Sequence, residues 1–418
     1  MTPIKSLTLV SLLLANAVLA DGWTMFHGPD GENRSPDTGL LTSWQDGGPQ
    51  LLWKANNIGD GVSGYSSVTI KGDRLFTSGN REGRSIVYCF DLNGKPLWEY
   101  DNGEAWTGSY PGTRSTPTID GEFVYDFSPL GELVCLTVEK GEKVWRRNML
   151  TDFEGENIIW ALSESIRIDG DRLYCAPGGK KASFVALNKR SGKVIWTTPS
   201  LGENTGYGCP IIIEQDGLRM VITTFAKGMF GVKADTGELL FTFRHEQRYD
   251  VNCTRPIYRE GHIVLVNSLS QGGEGAVMLK LTVTMDKDKV LLDEVWRNRD
   301  FDNLHDSIIF LDGFLYGTSH AYKDGTFMCV NWKTGVTKYD NRTAGRGSLT
   351  WAEELLYFFN EKGEMLLVRP TPEKFDVISR FDLPEEGEGS TWAHPVVFGK
   401  RLYLRHGTFL YCYEIAQP

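Results

Sequence analysis

Between Arg114 and Trp145 the chain reads RSTPTIDGEFVYDFSPLGELVCLTVEKGEKVW, four short runs separated by three turns. The runs are Ser115–Ile119, Glu122–Phe127, Glu132–Val138 and the segment from Glu142 through Trp145, and each turn between them carries a Gly. A tight hairpin needs such a residue where φ is positive. Alternating and β-branched residues such as Phe123, Tyr125, Leu133, Val134 and Val144 suit half-buried strands and show no helical period. The unit is therefore a four-stranded antiparallel sheet, too small to bury its own two faces. It needs copies of itself.

The copies follow along the chain. An opening strand and turn recurs as IKGDRLF at Gly72, IDGEFVY at Gly121, IDGDRLY at Gly170, EQDGLRMV at Gly217, REGHIVL at Gly261, LDGFLYG at Gly313, WAEELLY at Glu353-Glu354 and VFGKRLY at Gly399. A closing signature recurs as LNGKPLW, EKGEKVW, RSGKVIW, DTGELLF and KTGVTKY, with degenerate closings ending at Trp296 and Phe381. Successive closing aromatics lie 42 to 55 residues apart, the length of one propeller blade.

The count of opening turns is eight, but after Gly399 only enough chain remains for one further strand, Thr408–Ile415. The last blade then lacks its fourth strand. Leu51–Lys54, with Trp53 at the closing-aromatic position, has no partners in its own neighbourhood and is predicted to supply it. The expected fold class is all-β, an eight-bladed β-propeller of four-stranded antiparallel blades closed by an N-terminal strand, which leaves no open sheet edge. Seven blades plus an isolated strand is the competing arrangement.

The closing pattern in FVALNKRSGKVIW and MFGVKADTGELLF resembles the repeat of pyrroloquinoline quinone (PQQ)-like β-propellers, and the resemblance runs over nearly all of residues 51–418. That family includes quinone-dependent dehydrogenases and non-catalytic propellers such as the outer-membrane protein assembly lipoprotein. The leader WTMFHGPDGENRS is similar to the openings of secreted bacterial members. For the dehydrogenases the resemblance implies an adjacent Cys-Cys ring against the quinone and an Asn/Glu/Asp calcium site. No two cysteines here are neighbours, and the calcium set cannot be placed on this sequence.

Residues 1–20 carry Lys5, the apolar run Leu7–Leu14 and the small-residue end Val18-Leu19-Ala20, the pattern of a removed secretory signal. The protein is expected to be periplasmic or secreted, with no membrane span and as a monomer. Residues 21–50 are expected to be an irregular leader against the outside of the domain. The net charge of −10 makes nucleic acid a poor partner, because phosphate backbones demand Lys and Arg.

Seven cysteines in an exported chain would suggest disulfides, but their positions argue otherwise. Cys89, Cys135, Cys329 and Cys412 occupy a strand slot filled elsewhere by Ala186 and Gly231, which marks the slot as small and buried. Cys209 and Cys253 are the one pair that could approach. The stretch Gly59–Gly64 spells GxGxxG, but a strand pattern follows where a phosphate site needs a helix. Asp286-Lys287-Asp288 lacks the Gly and terminal Glu of a calcium loop. The seven His residues show no i, i+4 pair, so no metal-ligating set is identified, although a propeller can assemble a site from distant blades.

The longest and most aromatic segments join one blade's last strand to the next blade's first, and loops of that class surround one mouth of a propeller channel. Tyr110, Arg114, Trp160, Glu164, Tyr207, Arg255, His305, Trp392 and His394 lie in them or just beyond, and are the candidate partner-binding residues. Several of them, Trp160 above all, could instead plug the channel. The function expected is an exported binding or scaffold module for protein or glycan partners, with no bound cofactor. The alternatives are a PQQ- and calcium-dependent dehydrogenase oxidising alcohols or sugars, or another activity sited in the channel.

Overall fold

The computed structural model describes residues 22–418 apart from 250, 306, 322, 323 and 385. The expected signal segment lies outside the described residues. Eight antiparallel sheets succeed one another as the blades of an eight-bladed β-propeller. Blades 1 to 7 span 69–104, 118–148, 167–198, 211–244, 257–298, 308–341 and 347–382. Blade 8 comprises Val396–Phe398, Arg401–His406 and Phe409–Glu414, and its outermost strand is Gln50–Ala55, paired antiparallel with Phe409–Glu414. The ring thus closes as the repeat count predicted, with Trp53 opposite Cys412.

The closing signature has a physical basis that the repeat alone does not disclose. Trp53, Trp98, Trp145, Trp196 and Trp296 each reach out of their own blade and donate Nε1–H to a carbonyl of the next, those of Leu92, Val138, Lys189, Ala234 and Trp332, at 2.8–3.1 Å. Each indole lies on the turn Gly of that next blade. A Cβ added at Gly94, Gly141, Gly192, Gly237 or Gly335 would meet the ring at 2.3–2.8 Å. Gly and Trp therefore recur together because each Trp needs a bare turn on its neighbour.

The small slot has the same origin. Cys89, Cys135, Ala186, Gly231, Cys329 and Cys412 pair across the ladder with Trp98, Trp145, Trp196, Phe241, Tyr339 and Trp53. At Gly231 a Cβ would sit 2.2 Å from the Phe241 ring. Met278 and Met365 fill the slot opposite the two degenerate closings, Trp296 and Phe381. Cys89, Cys135, Cys175, Cys329 and Cys412 are free, buried thiols, while Cys209 and Cys253 line different cavities.

The hydrophobic core lies in the wedges between blades. One wedge joins Phe76, Val87 and Cys89 of blade 1 to Ile119, Val124 and Val134 of blade 2. The wedge at the closure packs Ile70, Leu75 and Phe90 against Tyr403, Leu410 and Cys412. That seam also holds Arg405, only 2% exposed. From blade 8 its guanidinium donates to the carbonyls of Ser66 and Ser78 at 2.8 and 2.6 Å, to Thr77 Oγ1 at 2.9 Å and to Ser63 Oγ at 3.2 Å. Burial pulls its pKa down to about 9.

The leader lies on the outside only in its second part, where Trp44 and Gly48 meet the outermost strand of blade 7, Asp376–Asp382. Gly22–Trp23 adds a strand to the inner edge of blade 1, and the chain then crosses the floor of the channel. Thr24 C=O accepts from Ile119 of blade 2, Arg259 of blade 5 pairs with Glu32, Arg34 donates to Phe310 C=O of blade 6, and Ser35 and Asn33 exchange hydrogen bonds with Trp351 of blade 7. Leu40 and Trp44 are buried beside blades 7 and 8. The turn Glu353-Glu354 has positive φ at both residues without a Gly, and the Glu353 carboxylate is fixed by the leader's Gly39 and Leu40 N–H groups at 2.8 and 2.6 Å. A stretch with no repeat thus becomes buried because an inner edge and an open floor are the surfaces eight blades leave uncovered.

Candidate functional site

At the opposite end of the ring the connectors between blades converge on a cavity of about 250 Å³. Seven of the nine predicted residues line it: Tyr110, Arg114, Trp160, Tyr207, His305, Trp392 and His394. Tyr65, His320 and Arg346 complete the polar and aromatic wall.

Trp392 is the centre of the wall. Its ring centroid lies 4.5 Å from Tyr65, 4.6 Å from His305 and 5.2 Å from Tyr110, separations at which tilted rings attract. The series continues from Tyr110 to Trp160 at 6.4 Å and on to Tyr249 at 6.0 Å. The Arg114 guanidinium stands 5.6 Å over the Tyr65 ring and donates to the Gly112 and Tyr110 carbonyls. Tyr110 itself holds a left-handed backbone, φ 52°, uncommon for a residue with a side chain. Its ring is 50% exposed at the rim, and Tyr249 is 38% exposed.

The leader supplies the bottom of this cavity. Phe26 lines it from below and packs 4.8 Å from His394. His394 Nδ1 accepts from Asn33 Nδ2 at 3.2 Å, and its Nε2–H donates to His305 C=O at 2.8 Å. Mouth and leader are thereby one hydrogen-bonded structure.

No carboxylate lines the cavity among the described residues. Glu361 stands immediately behind, accepting from Arg346 Nε at 2.6 Å and Trp392 Nε1 at 2.9 Å, with His305 Nδ1 3.5 Å away. Burial, then the nearby His320, Arg346 and His394, drive the His305 pKa well below its ordinary value. Burial and Arg346 drive His320 down to about 3. At neutral pH the mouth therefore offers neutral imidazoles, two guanidiniums and a broad aromatic face. Such a set can stack on planar or sugar rings and can donate to carboxylates and hydroxyls.

Glu164 and Arg255 do not belong to this wall. Glu164 is 2% exposed; its Oε2 accepts from Ala176 N at 2.9 Å, and burial pushes the carboxyl up to about 8, so it is protonated at neutral pH. Arg255 lines a second cavity of about 160 Å³ between the leader and blades 3 to 5. Both stand in the last residues of a connector, just before the inner strands Arg167–Asp169 and Ile257–Arg259, where the chain has already left the mouth cavity. Conversely, His320 and Glu361 were missed because they sit in short turns after second strands, at 314–319 and 355–360. Antiparallel geometry brings those turns to the same face as the long connectors, which is the signal that could have found them.

Comparison with known proteins agrees with this architecture. A family model described as outer membrane protein assembly factor BamB matches residues 35–176 and 130–371. A quinoprotein ethanol dehydrogenase of Pseudomonas aeruginosa is 26% identical over 155 residues, 34% of this chain and 24% of the relative. One from Pseudomonas putida is 25% identical over 187 residues, 44% of this chain and 28% of the relative. The chain thus spans less than a third of the length of these curated relatives. Among solved structures, BamB from Moraxella catarrhalis superposes with a TM-score of 0.57 at 14% identity, covering 88% of this chain and 98% of that one. Quinohemoprotein alcohol dehydrogenase from Comamonas testosteroni gives 0.65 at 10% identity, covering 96% and 82%. At such identities the structures speak for the fold alone. With the family model matched over most of the chain, this protein belongs to the BamB family of PQQ-like β-propellers.

Proposed function

We propose that this protein is an exported binding module that takes a segment of a partner protein or a glycan into the channel mouth. The observation that carries the reading is the run of rings from Tyr65 through Trp392, Tyr110 and Trp160 to Tyr249 around a cavity of about 250 Å³. Tyr, Trp and Arg dominate binding hot spots because they bury a large area with few torsions to freeze. The BamB relationship supports a protein partner, and no described helix is long and apolar enough to cross a membrane.

The local likeness to ethanol dehydrogenases favours a second reading, a quinone enzyme. The residues around the cavity fit that cofactor poorly. A calcium ion takes six to eight oxygen ligands, largely carboxylates, and none lines the wall among the described residues. Cys253 is the one cysteine on that wall, so no vicinal pair offers a platform.

Peptide and glycan arrays probed with the purified chain test the proposal. Tyr110→Ala combined with Tyr249→Ala should weaken any captured ligand at least about tenfold, a modest hot-spot loss, while leaving the melting temperature nearly unchanged. Uptake of one PQQ per chain in the presence of calcium, with dye-linked alcohol oxidation, would overturn it.

A further inference from the structure

We propose that His305, His320 and Glu361 form a binding site for a divalent transition-metal ion of the zinc class, with an open coordination position facing the mouth cavity. Their donor atoms lie within 4.8 Å of one another. His305 Nδ1 and Glu361 Oε1 are 3.5 Å apart. Two ligands on tetrahedral zinc with bonds of about 2.0–2.1 Å stand roughly 3.3 Å apart, so this pair is already at ligand spacing and His320 needs to close by up to about 1.5 Å.

A second observation comes from His320. It is 3% exposed, yet neither Nδ1 nor Nε2 has a hydrogen-bond partner among the described residues. A buried ring that leaves both nitrogens unsatisfied gives up the free energy it had in water, and buried polar groups in native proteins are nearly always satisfied. Its backbone is held firmly: His320 N donates to Asp302 Oδ1 at 2.5 Å, which also accepts from Ala321 N at 3.1 Å. The ring stands edge-on to His305 at 5.0 Å, towards the other two ligands. A metal bond would satisfy one nitrogen without moving the strand.

The surroundings match those of a metal ligand set. Arg346 on Glu361 Oε2 and the Trp392 indole on Oε1 orient the carboxylate as outer-shell groups do. Two imidazoles and one carboxylate suit zinc and its neighbours rather than calcium, whose sites are built of oxygens. Three protein ligands beside a cavity leave the fourth position for water or a ligand atom, as open zinc sites do.

The test is calorimetric titration of the chelator-treated full chain with zinc chloride, and in parallel with calcium chloride. One zinc ion per chain is expected, with no calcium uptake and a rise in melting temperature on zinc addition. His320→Ala should lose at least about 100-fold in affinity, and Glu361→Gln, which keeps the side-chain shape and one acceptor oxygen, at least about tenfold. Should His320→Ala not fold, His305→Ala and Glu361→Gln decide. Cobalt substituted for zinc should show no thiolate charge-transfer absorption, which separates this site from the seven cysteines. Absence of zinc uptake by the folded wild type, uptake undiminished in both Glu361→Gln and a folded histidine variant, preference for calcium, or a thiolate cobalt spectrum would each overturn the proposal.

Discussion

The two ends of the channel are finished differently. At the floor the chain uses its own leader as a plug, and carboxylates are paired there: Glu32 with Arg259, Asp37 with the Lys400 N–H, Glu353 with the backbone of Gly39 and Leu40. At the mouth the connectors touch through aromatic rings, two of which are left exposed at the rim, and His320 is buried without a hydrogen-bond partner. The floor is complete as a piece of folded protein, whereas the mouth has the character of half an interface. Substitutions at the floor and in the ring should therefore register as stability, and substitutions at the mouth as binding.

Removing Gln50–Ala55 should produce the largest effect, because it strips blade 8 of its outer strand and reopens a sheet edge. Failure to yield a cooperatively melting protein is the expected outcome. Deleting 22–44 should cost less, but still several kcal/mol, since the burial of Trp23, Leu40 and Trp44 contributes about 1.5–3 kcal/mol each. From sequence the leader looked peripheral, and a mild loss would have been expected. A thermal melt of the two truncations ranks them, and a leader deletion as benign as the rim double variant would dissolve the contrast between floor and mouth.

Arg405→Met should destabilise by about 3 kcal/mol or more, because the carbonyls of Ser66 and Ser78 would remain buried without their charged donor. Denaturant unfolding measures it. Trp145→Phe removes the indole bond to Lys189 C=O and part of the ring that lies on Gly192, and should cost about 1–2 kcal/mol, against about 3–5 kcal/mol for Trp145→Ala. The same exchange at Phe241 or Tyr339, whose blades have no Trp staple, cannot be made, so those junctions should open first in hydrogen exchange.

A separate readout, the pH dependence of stability, tests Glu164. Glu164 has its folded pKa raised from 4.5 to about 8, so between those values the folded chain holds a proton that the unfolded chain has released. Stability from this group is full below 4.5 and is lost as pH rises through about 8. Glu164→Gln should flatten the decline of melting temperature with pH over that window while leaving mouth binding unaltered. An unchanged pH profile would show that Glu164 is solvated and nearer the mouth than its burial indicates.

The blades, their number and their closure were legible because they repeat, and because Gly, the small slot and the closing aromatic each meet a steric demand that recurs at every junction. The mouth was legible as far as loop length marks it, which found Tyr110, Trp160 and Trp392. Glu164 and Arg255 stand off the cavity wall because how deep the end of a connector runs leaves no trace in residue type. His320 and Glu361 stand 41 residues apart on different blades, and nothing local in either turn announces the other. The floor was misread for the reverse reason: a segment without a repeat looks dispensable until the surfaces it covers are known.

Closure by Gln50–Ala55 and Phe409–Glu414 also sets an order of events. The strand 50–55 emerges from the ribosome long before its template, Phe409–Glu414, exists. It must wait through the synthesis of some 350 residues with its edge unpaired. The ring therefore cannot be sealed by any nascent chain, and a product interrupted in its final hairpin carries two unpaired edges at once. Such a chain is marked for proteolysis or for self-association by its own geometry. Synthesis of Phe409–Glu414 is thus a condition of closing the ring, checked at a single seam.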